Sequence, residues 1–469
     1  MKQKGIFTWT VILITICTFI LASRELNKPY PWYTNGDQDA NLSQGTLLRN
    51  SGRSSEFYHH PSLGSYIVYG EILKVGKSLG LVKIDNFQEL SQLEDPLPEL
   101  ANTLRFFRMV NILLAFIGAG ICYALIFLLS SDAITSLLGA SLWLWSGCLL
   151  QTLMLRSEFI SCLFGLASVT FFLKSIVSGD KIIHKFLFLV LCGSTFAFAA
   201  GTKIQAYQFV PIFLGLYFFD QIKSAKNHFF GHIKHATPIL ITLMISFVVS
   251  VFFAAFIAHT NENFSSVVEF ILKPVGKTAL SANQYMGYRS QANSLSKLTY
   301  FSSQVGQYFA HYLPHIALTI VGIFLSQTFL KKRRIWISWT AIVFAMILFN
   351  SLRYYAPHYW IYLDLCFIAP ILLIMRSGQG IFSIPKKDSS QWNGLFNIPS
   401  VRRAYYVAFC FLGFISYWEI STIYPTFNSS FRNNPDWFYR GVAPCASCEN
   451  LWKVKYGSPE AFAKRAREL

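Results

Sequence analysis

Long apolar runs separated by short polar breaks occupy most of the chain, and the one extended polar stretch lies near its start. Ile6–Leu21 is apolar behind Lys2 and Lys4. It is longer than the ~7–15 residues of a cleaved signal core, so it reads as an uncleaved first span with its amino end in the cytoplasm. From Phe106 onward, apolar runs approach the ~20 residues that a bilayer core requires. They extend over Phe106–Leu129, Ala133–Leu150, Phe159–Val177, Phe186–Ala200, Ala206–Phe219, Pro238–Ala258, Tyr308–Leu330, Ile335–Phe349, Tyr359–Met375 and Ala404–Ile420. The pattern predicts an all-α polytopic membrane protein of about eleven transmembrane helices. Residues 24–104 become a long first external loop. Within it, Tyr66–Leu81 and Phe87–Leu104 have amphipathic helical spacing, broken by Pro96 and Pro98, as expected of helices lying along the interface. The predicted division is a membrane domain over 1–420, with a second large external loop at 259–307, and an external tail over 421–469.

Composition sharpens this picture. Of 469 residues, 53% are hydrophobic, 17% aromatic and only 13% charged, which suits a multi-span membrane protein. The net charge of +17 would suggest nucleic acid. Yet the basic residues sit in short breaks between apolar runs, as orientation signals do, so no nucleic-acid partner is expected. With the amino end inside, Lys181/Lys185, Lys223/Lys226/Lys234, Lys331–Arg334 and Arg376/Lys386/Lys387/Arg402/Arg403 all fall in cytoplasmic loops. Nine cysteines show no disulfide framework. Cys445-Ala-Ser-Cys448 in the tail is a lone CxxC, open to a disulfide, half a metal site or no role, and the lack of a second Cys/His pair nearby argues against structural zinc.

The same orientation places Asp37/Asp39, His59/His60, Arg108, Arg156/Glu158, Lys203, Arg353 and His358 on the external side. Each cation alone reads as a snorkelling residue at a helix end, adding little to packing. Together they suggest a shared site, because charges are costly near lipid. A carboxylate facing cations at a membrane surface suits transfer of a group from a phosphate-linked lipid. The acid would act as general base toward an acceptor hydroxyl, and the cations would stabilise the departing phosphate. Gly36 lets the chain turn, and Asp39-Ala-Asn-Leu reads as a helix start with Asp39 near the N-cap. Asp37, ahead of that helix, is then the freer base. Asp37-x-Asp39 also offers oxygens to a divalent cation. Two rivals are a secondary transporter, for which no internal repeat is found, and a glycan ligase or polymerase using a lipid-diphosphate-linked glycan and its late external loop.

An acid soon after the first span, followed by His60-Pro61-Ser62-Leu63, resembles the GT-C superfamily of membrane glycosyltransferases. Protein O-mannosyltransferases and aminoarabinose transferases are the nearest types. Arg108-Met-Val-Asn, Arg156-Ser-Glu158, Ala200-Gly-Thr-Lys203 and Arg353-Tyr-Tyr-Ala-Pro357-His358 are similar to further family elements, in the family's order. The resemblance implies sugar transfer, with inversion, from a polyprenyl-phosphate donor to a glycan, lipid or protein acceptor. The site would face out of the cytoplasm, across a bacterial inner membrane. It assigns the catalytic role to Asp37 or Asp39 and donor-phosphate binding to Lys203, Arg353, Arg156 and Arg108. Substrate contacts fall to Tyr58, His59, His60, Glu158 and His358. Tyr58 stands where many members carry a second acid, with Glu56 the nearest carboxylate.

Overall fold

The apolar runs fold as helices, and no strand occurs among the described residues. The computed structural model describes residues 2–27, 36–53, 63–177, 182–224, 229–258, 294–326, 328–351, 357–377, 399–433 and 446–468. In chain order the helices are α1 (Lys2–Asn27), α2 (Gly36–Asn50), α3 (Leu63–Ser78), α4 (Phe87–Gln92), α5 (Leu97–Ser130), α6 (Ala133–Trp143), α7 (Leu149–Leu153), α8 (Ser157–Val177) and α9 (Ile182–Thr202). They continue with α10 (Phe209–Ser224), α11 (Phe229–Ala258), α12 (Ser294–Ser326), α13 (Thr328–Ser351), α14 (Trp360–Ser377), α15 (Pro399–Asn433), α16 (Ala446–Tyr456) and α17 (Pro459–Glu468). A π-helical turn, Leu144–Cys148, joins α6 to α7, and 3-10 turns Ile204–Gln208 and Pro357–Tyr359 precede α10 and α14.

By length and composition, six of the described helices can cross a membrane: Leu97–Ser130, Ala133–Leu153, Ser157–Val177, Ile182–Thr202, Thr237–Ile257 and Leu298–Leu325. Ile12–Arg24, Trp339–Ser351 and Trp360–Leu372 are shorter apolar helices, so the expected eleven spans are matched only in part. Met244, Val249 and Phe256 on α11 stand exposed on the bundle's outside. On a soluble protein such a face would be costly; against lipid it is the expected surface.

Several expected boundaries move, each for a local reason. The second amphipathic segment does not lie apart, because Leu97–Leu104 is the start of α5. Pro96 and Pro98 open that helix rather than break it, since the first helical turn has no intrahelical use for their missing N–H groups. Lys331–Arg334, expected in a loop, lie within the first turns of α13. Lysine and arginine form helix well and reach water on long stems, so a helix end carries them without a loop. The start of α12 falls inside the segment expected as loop 259–307, and α15 runs past Ile420 to Asn433, through the expected tail boundary.

The first loop builds a small layer on the bundle. Asn50 at the end of α2 donates to Gly70 O at 3.1 Å and to Asp85 O at 2.8 Å, tying α2, α3 and the chain before α4 together. Lys77 pairs with Asp85 at 3.0 Å and with Glu89. Hydrogen bonds with Glu89 and Asp85 outweigh burial and keep the Lys77 ammonium above its usual range.

The tail closes onto this layer. Tyr456 of α16 donates to Asp95 and accepts from the Leu97 amide at 3.3 Å, satisfying an N–H that the start of α5 leaves open. Arg465 of α17 grips the same carboxylate through Nε at 2.8 Å and Nη2 at 2.7 Å. Arg53 donates to Ser447, and Trp452 packs edge-on to Phe462 with centroids 5.1 Å apart. First loop and tail therefore lie on one face of the bundle. Cys448 is disulfide-bonded, so its sulfur is not available as a metal ligand, while the seven cysteines outside that motif are free.

Candidate functional site

Beneath the loop layer, the ends of α8 and α9 bring two cations to one carboxylate. The chain leaves α7 at Met154 in an extended conformation (φ −105°, ψ 127°) and re-enters helix at Ser157. Glu158 therefore falls in the first turn of α8, where the helix N-terminus favours negative charge. Lys203 leaves α9 extended (φ −156°, ψ 135°), between Thr202 and the 3-10 turn. Arg156 Nε lies 3.4 Å from Glu158 Oε2. Lys203 Nζ lies 3.3 Å from Glu158 Oε1, close enough for an ion pair though not aligned as a hydrogen bond. All three side chains are buried. Ser161 donates to Ala199 O at 2.9 Å, which fixes the two helix ends to each other.

Burial changes how Lys203 and Arg156 are to be read. Solvated helix-end cations would be dispensable to packing, but these two neutralise a carboxylate that has no exposed surface. Removing the carboxylate of such a set leaves uncompensated buried charge, a loss of about 3–5 kcal/mol in comparable pairs.

The first loop abuts this cluster. A Cβ on Gly64, in the first turn of α3, would collide with Thr202 Oγ1 and lie 3.2 Å from Phe198 O, so only glycine lets α3 approach the end of α9 so closely. Tyr69 of α3 donates to Asn111 of α5, whose amide donates to Gln151 O of α7 at 3.0 Å. Arg108, one turn before Asn111, is buried on the same helix. On the far side of the Lys203 turn, Gln208 and Asn350 exchange amide hydrogen bonds at 2.7 and 2.6 Å. That pair fastens the 3-10 turn to the end of α13, three residues before Arg353 in sequence.

The remaining expected residues are distributed unevenly. Asp37 and Asp39 both lie within α2, which begins at Gly36. This overturns the expectation that Asp37 precedes the helix; a start at Gly36 brings both acids to the positive end of its dipole. The side chains of Asp37 and Asp39, and that of His358 in the turn Pro357–Tyr359, are outside the described residues. Tyr58, His59, His60 and Arg353 also lie outside them. No cluster of three or more metal-ligating side chains occurs among the described residues.

Sequence reasoning missed a second polar group inside the bundle. Asp364 of α14 accepts from the Gly147 amide at 2.7 Å and from Tyr312 of α12 at 2.8 Å. His311 stacks on Trp360 at 3.6 Å, with Nδ1 3.0 Å from Glu419 of α15. The signal was present: Asp364 is the lone acid in the apolar run Trp360–Leu372.

No protein-family model and no curated protein matches the chain. Solved structures are similar to it in fold. An oligosaccharyltransferase from Archaeoglobus fulgidus in the apo form superposes with TM-score 0.51 at 11% identity, over 88% of this chain and 56% of that one. Archaeal oligosaccharyltransferase AglB from the same organism, in complex with an inhibitory peptide and a dolichol-phosphate, gives TM-score 0.47 at 12% identity, over 89% and 56%. ArnT from Cupriavidus metallidurans bound to undecaprenyl phosphate gives TM-score 0.47 at 12% identity, over 97% and 76%. This chain thus spans little more than half the length of the archaeal proteins. The likeness to the apo oligosaccharyltransferase is one of fold.

Proposed function

We propose that the chain is a membrane glycosyltransferase that moves a sugar from a polyprenyl-phosphate-linked donor to an acceptor hydroxyl. The observation that carries this reading is the buried convergence of Arg156 and Lys203 on Glu158, at helix ends beneath the loop layer of a GT-C fold. Cations held there meet a lipid-borne phosphate at the depth where a membrane presents it. Glu158 then acts as the anchor that orients both cations rather than as a substrate contact. Arg108 on α5 and Arg353, which follows α13 in the chain, are assigned to the same anion site.

In the reaction, Asp37 or Asp39 takes the acceptor's proton while the acceptor oxygen bonds to the anomeric carbon. The bond from that carbon to the phosphate oxygen breaks, and the polyprenyl phosphate leaves with the electron pair, stabilised by the cations. Attack opposite the leaving group inverts the centre. Tyr58, His59, His60 and His358 flank this region in the chain and are assigned to substrate contacts. A divalent cation at Asp37 and Asp39 stays part of the proposal only as a candidate, and no step is routed through it.

The face is assigned to the outside of the cytoplasm, in a bacterial inner membrane. The disulfide-bonded Cys448 supports that side, because such bonds persist where the compartment is oxidising. A second reading, transfer of a whole glycan from a lipid diphosphate, draws on the likeness to an oligosaccharyltransferase. One experiment separates them. The purified full chain is offered undecaprenyl monophosphate and diphosphate, and thermal stabilisation is measured. Saturable stabilisation by the monophosphate, lost in Lys203→Ala, is expected. Stabilisation by the diphosphate alone would favour glycan transfer, and response to neither would exclude both readings.

A further inference from the structure

The π-helical turn between α6 and α7 breaks the backbone inside the bundle: Ser146 there has φ −100° and ψ −138°. In a membrane interior no water satisfies the groups that such a break releases. The Gly147 amide is satisfied by Asp364 Oδ2 at 2.7 Å, and Tyr312 donates to Oδ1 of the same carboxylate at 2.8 Å. The approach is close. A Cβ on Gly147 would lie 2.5 Å from Ile361 N and 2.7 Å from Asp364 Oδ2. Tyr312 is itself held, stacked on Phe367 with centroids 3.9 Å apart and planes 5° from parallel. Asp364 thus clasps α12, α14 and the broken helix at one point.

Beyond Gly147 the chain runs directly into the candidate site. Cys148 closes the π turn, α7 runs from Leu149 to Leu153, and Arg156 and Glu158 come directly after. Asn111 holds the middle of this stretch through Gln151 O. The same turn of α14 reaches α8, because Cys162, one turn beyond Glu158, lies with Sγ 3.4 Å from Ile361 O. The segment between the break and the cluster is therefore anchored at its start by Asp364. Its other end is tied to the α14 turn that carries Asp364.

We propose that Asp364 is a positioning residue for the anion site: by accepting the Gly147 amide at the helix break, it sets the register in which Arg156 and Glu158 meet Lys203. The inference rests on reading that cluster as the polyprenyl-phosphate site. It requires the acceptor geometry of Asp364, not its charge. An asparagine can still accept from Gly147 while the Tyr312 hydroxyl turns to accept from its amide. A leucine cannot.

The test uses the full chain in lipid nanodiscs, as wild type, Asp364→Asn and Asp364→Leu. Amide exchange over Leu149–Glu158 is measured together with binding of undecaprenyl phosphate. Asp364→Leu should speed exchange in that segment and weaken binding about 10- to 100-fold, the scale on which small misplacements act. Asp364→Asn should stay close to wild type in both. A folded Asp364→Leu protein with unchanged exchange and affinity overturns the proposal, as does an Asp364→Asn protein that is equally impaired. Should Asp364→Leu not fold, Tyr312→Phe removes one bond to the carboxylate and keeps the stacked ring. A smaller effect in the same direction is then expected, and none at all is contrary. If wild type binds no undecaprenyl phosphate, the functional reading fails, and the exchange arm still decides the positioning claim.

Discussion

Taking Lys203 away removes one of the two cations that face the buried Glu158 carboxylate, so its substitution acts on stability and on donor binding at once. The two effects separate in a double-mutant cycle. Lys203→Ala should lower the melting temperature and weaken the stabilisation by undecaprenyl phosphate. Adding Glu158→Gln should lower the melting temperature further, because it takes the carboxylate from the buried Arg156 guanidinium, and should not restore donor binding. Restored binding in the double variant would mean that Lys203 serves only to neutralise Glu158. At the acids of α2, Asp37→Asn or Asp39→Asn should cost transfer roughly 10²–10⁴-fold with donor binding intact. The impaired variant identifies the base, and full activity in both would remove the acid-base role from α2. Lys203 and Glu158 were both legible in the sequence as span-end charges on one side. Their pairing was not, because it depends on two helix ends meeting from segments more than forty positions apart.

At the scale of elements, the tail and first loop act through one carboxylate. Burial raises the Asp95 pKa, but hydrogen bonds from Tyr456 and Arg465 outweigh it and hold the group below its usual 3.8. A depressed carboxylate contributes to docking above its free pKa, and that contribution is lost as pH falls through the lower, docked value. The tail should thus stay docked at neutral pH and loosen only below about pH 4. Fluorescence of the chain should then change with exposure of Trp452, now buried between α16 and α17. Arg465→Ala should move that transition to higher pH, and an unmoved transition would show that Asp95 does not govern docking. Asp95 and Arg465 are far apart in sequence, so nothing in the linear pattern indicated the contact. The opening of α5 by Pro96 and Pro98 was locally readable, but the amphipathic spacing before it suggested a separate interfacial helix.

At the scale of the whole molecule, docking of the tail on the first loop requires Arg53 and Ser447 to share a side of the membrane. Reporter fusions or cysteine labelling at both positions should agree with each other, and labelling at Lys387 should report the opposite side. Disagreement between Arg53 and Ser447 would contradict the fold. An external Lys387 would instead reverse the assigned orientation and, with it, the compartment in which transfer occurs.

The apolar periodicity alone determined that the chain is helical and suited to a membrane, because the length and hydropathy of a span are local properties. The order of Asp37/Asp39, Arg156-Ser-Glu158 and Lys203 was readable as a resemblance to GT-C motifs, because short motifs keep their spacing whatever the packing does. Tertiary structure decided what those residues do to one another. Burial converted span-end charges into an ion-paired cluster, and the closeness of α14 to the broken helix gave Asp364 its two donors. Docking of the tail brought Tyr456 and Arg465 to Asp95. Each of these rests on distances between segments remote in sequence, which neither periodicity nor composition encodes.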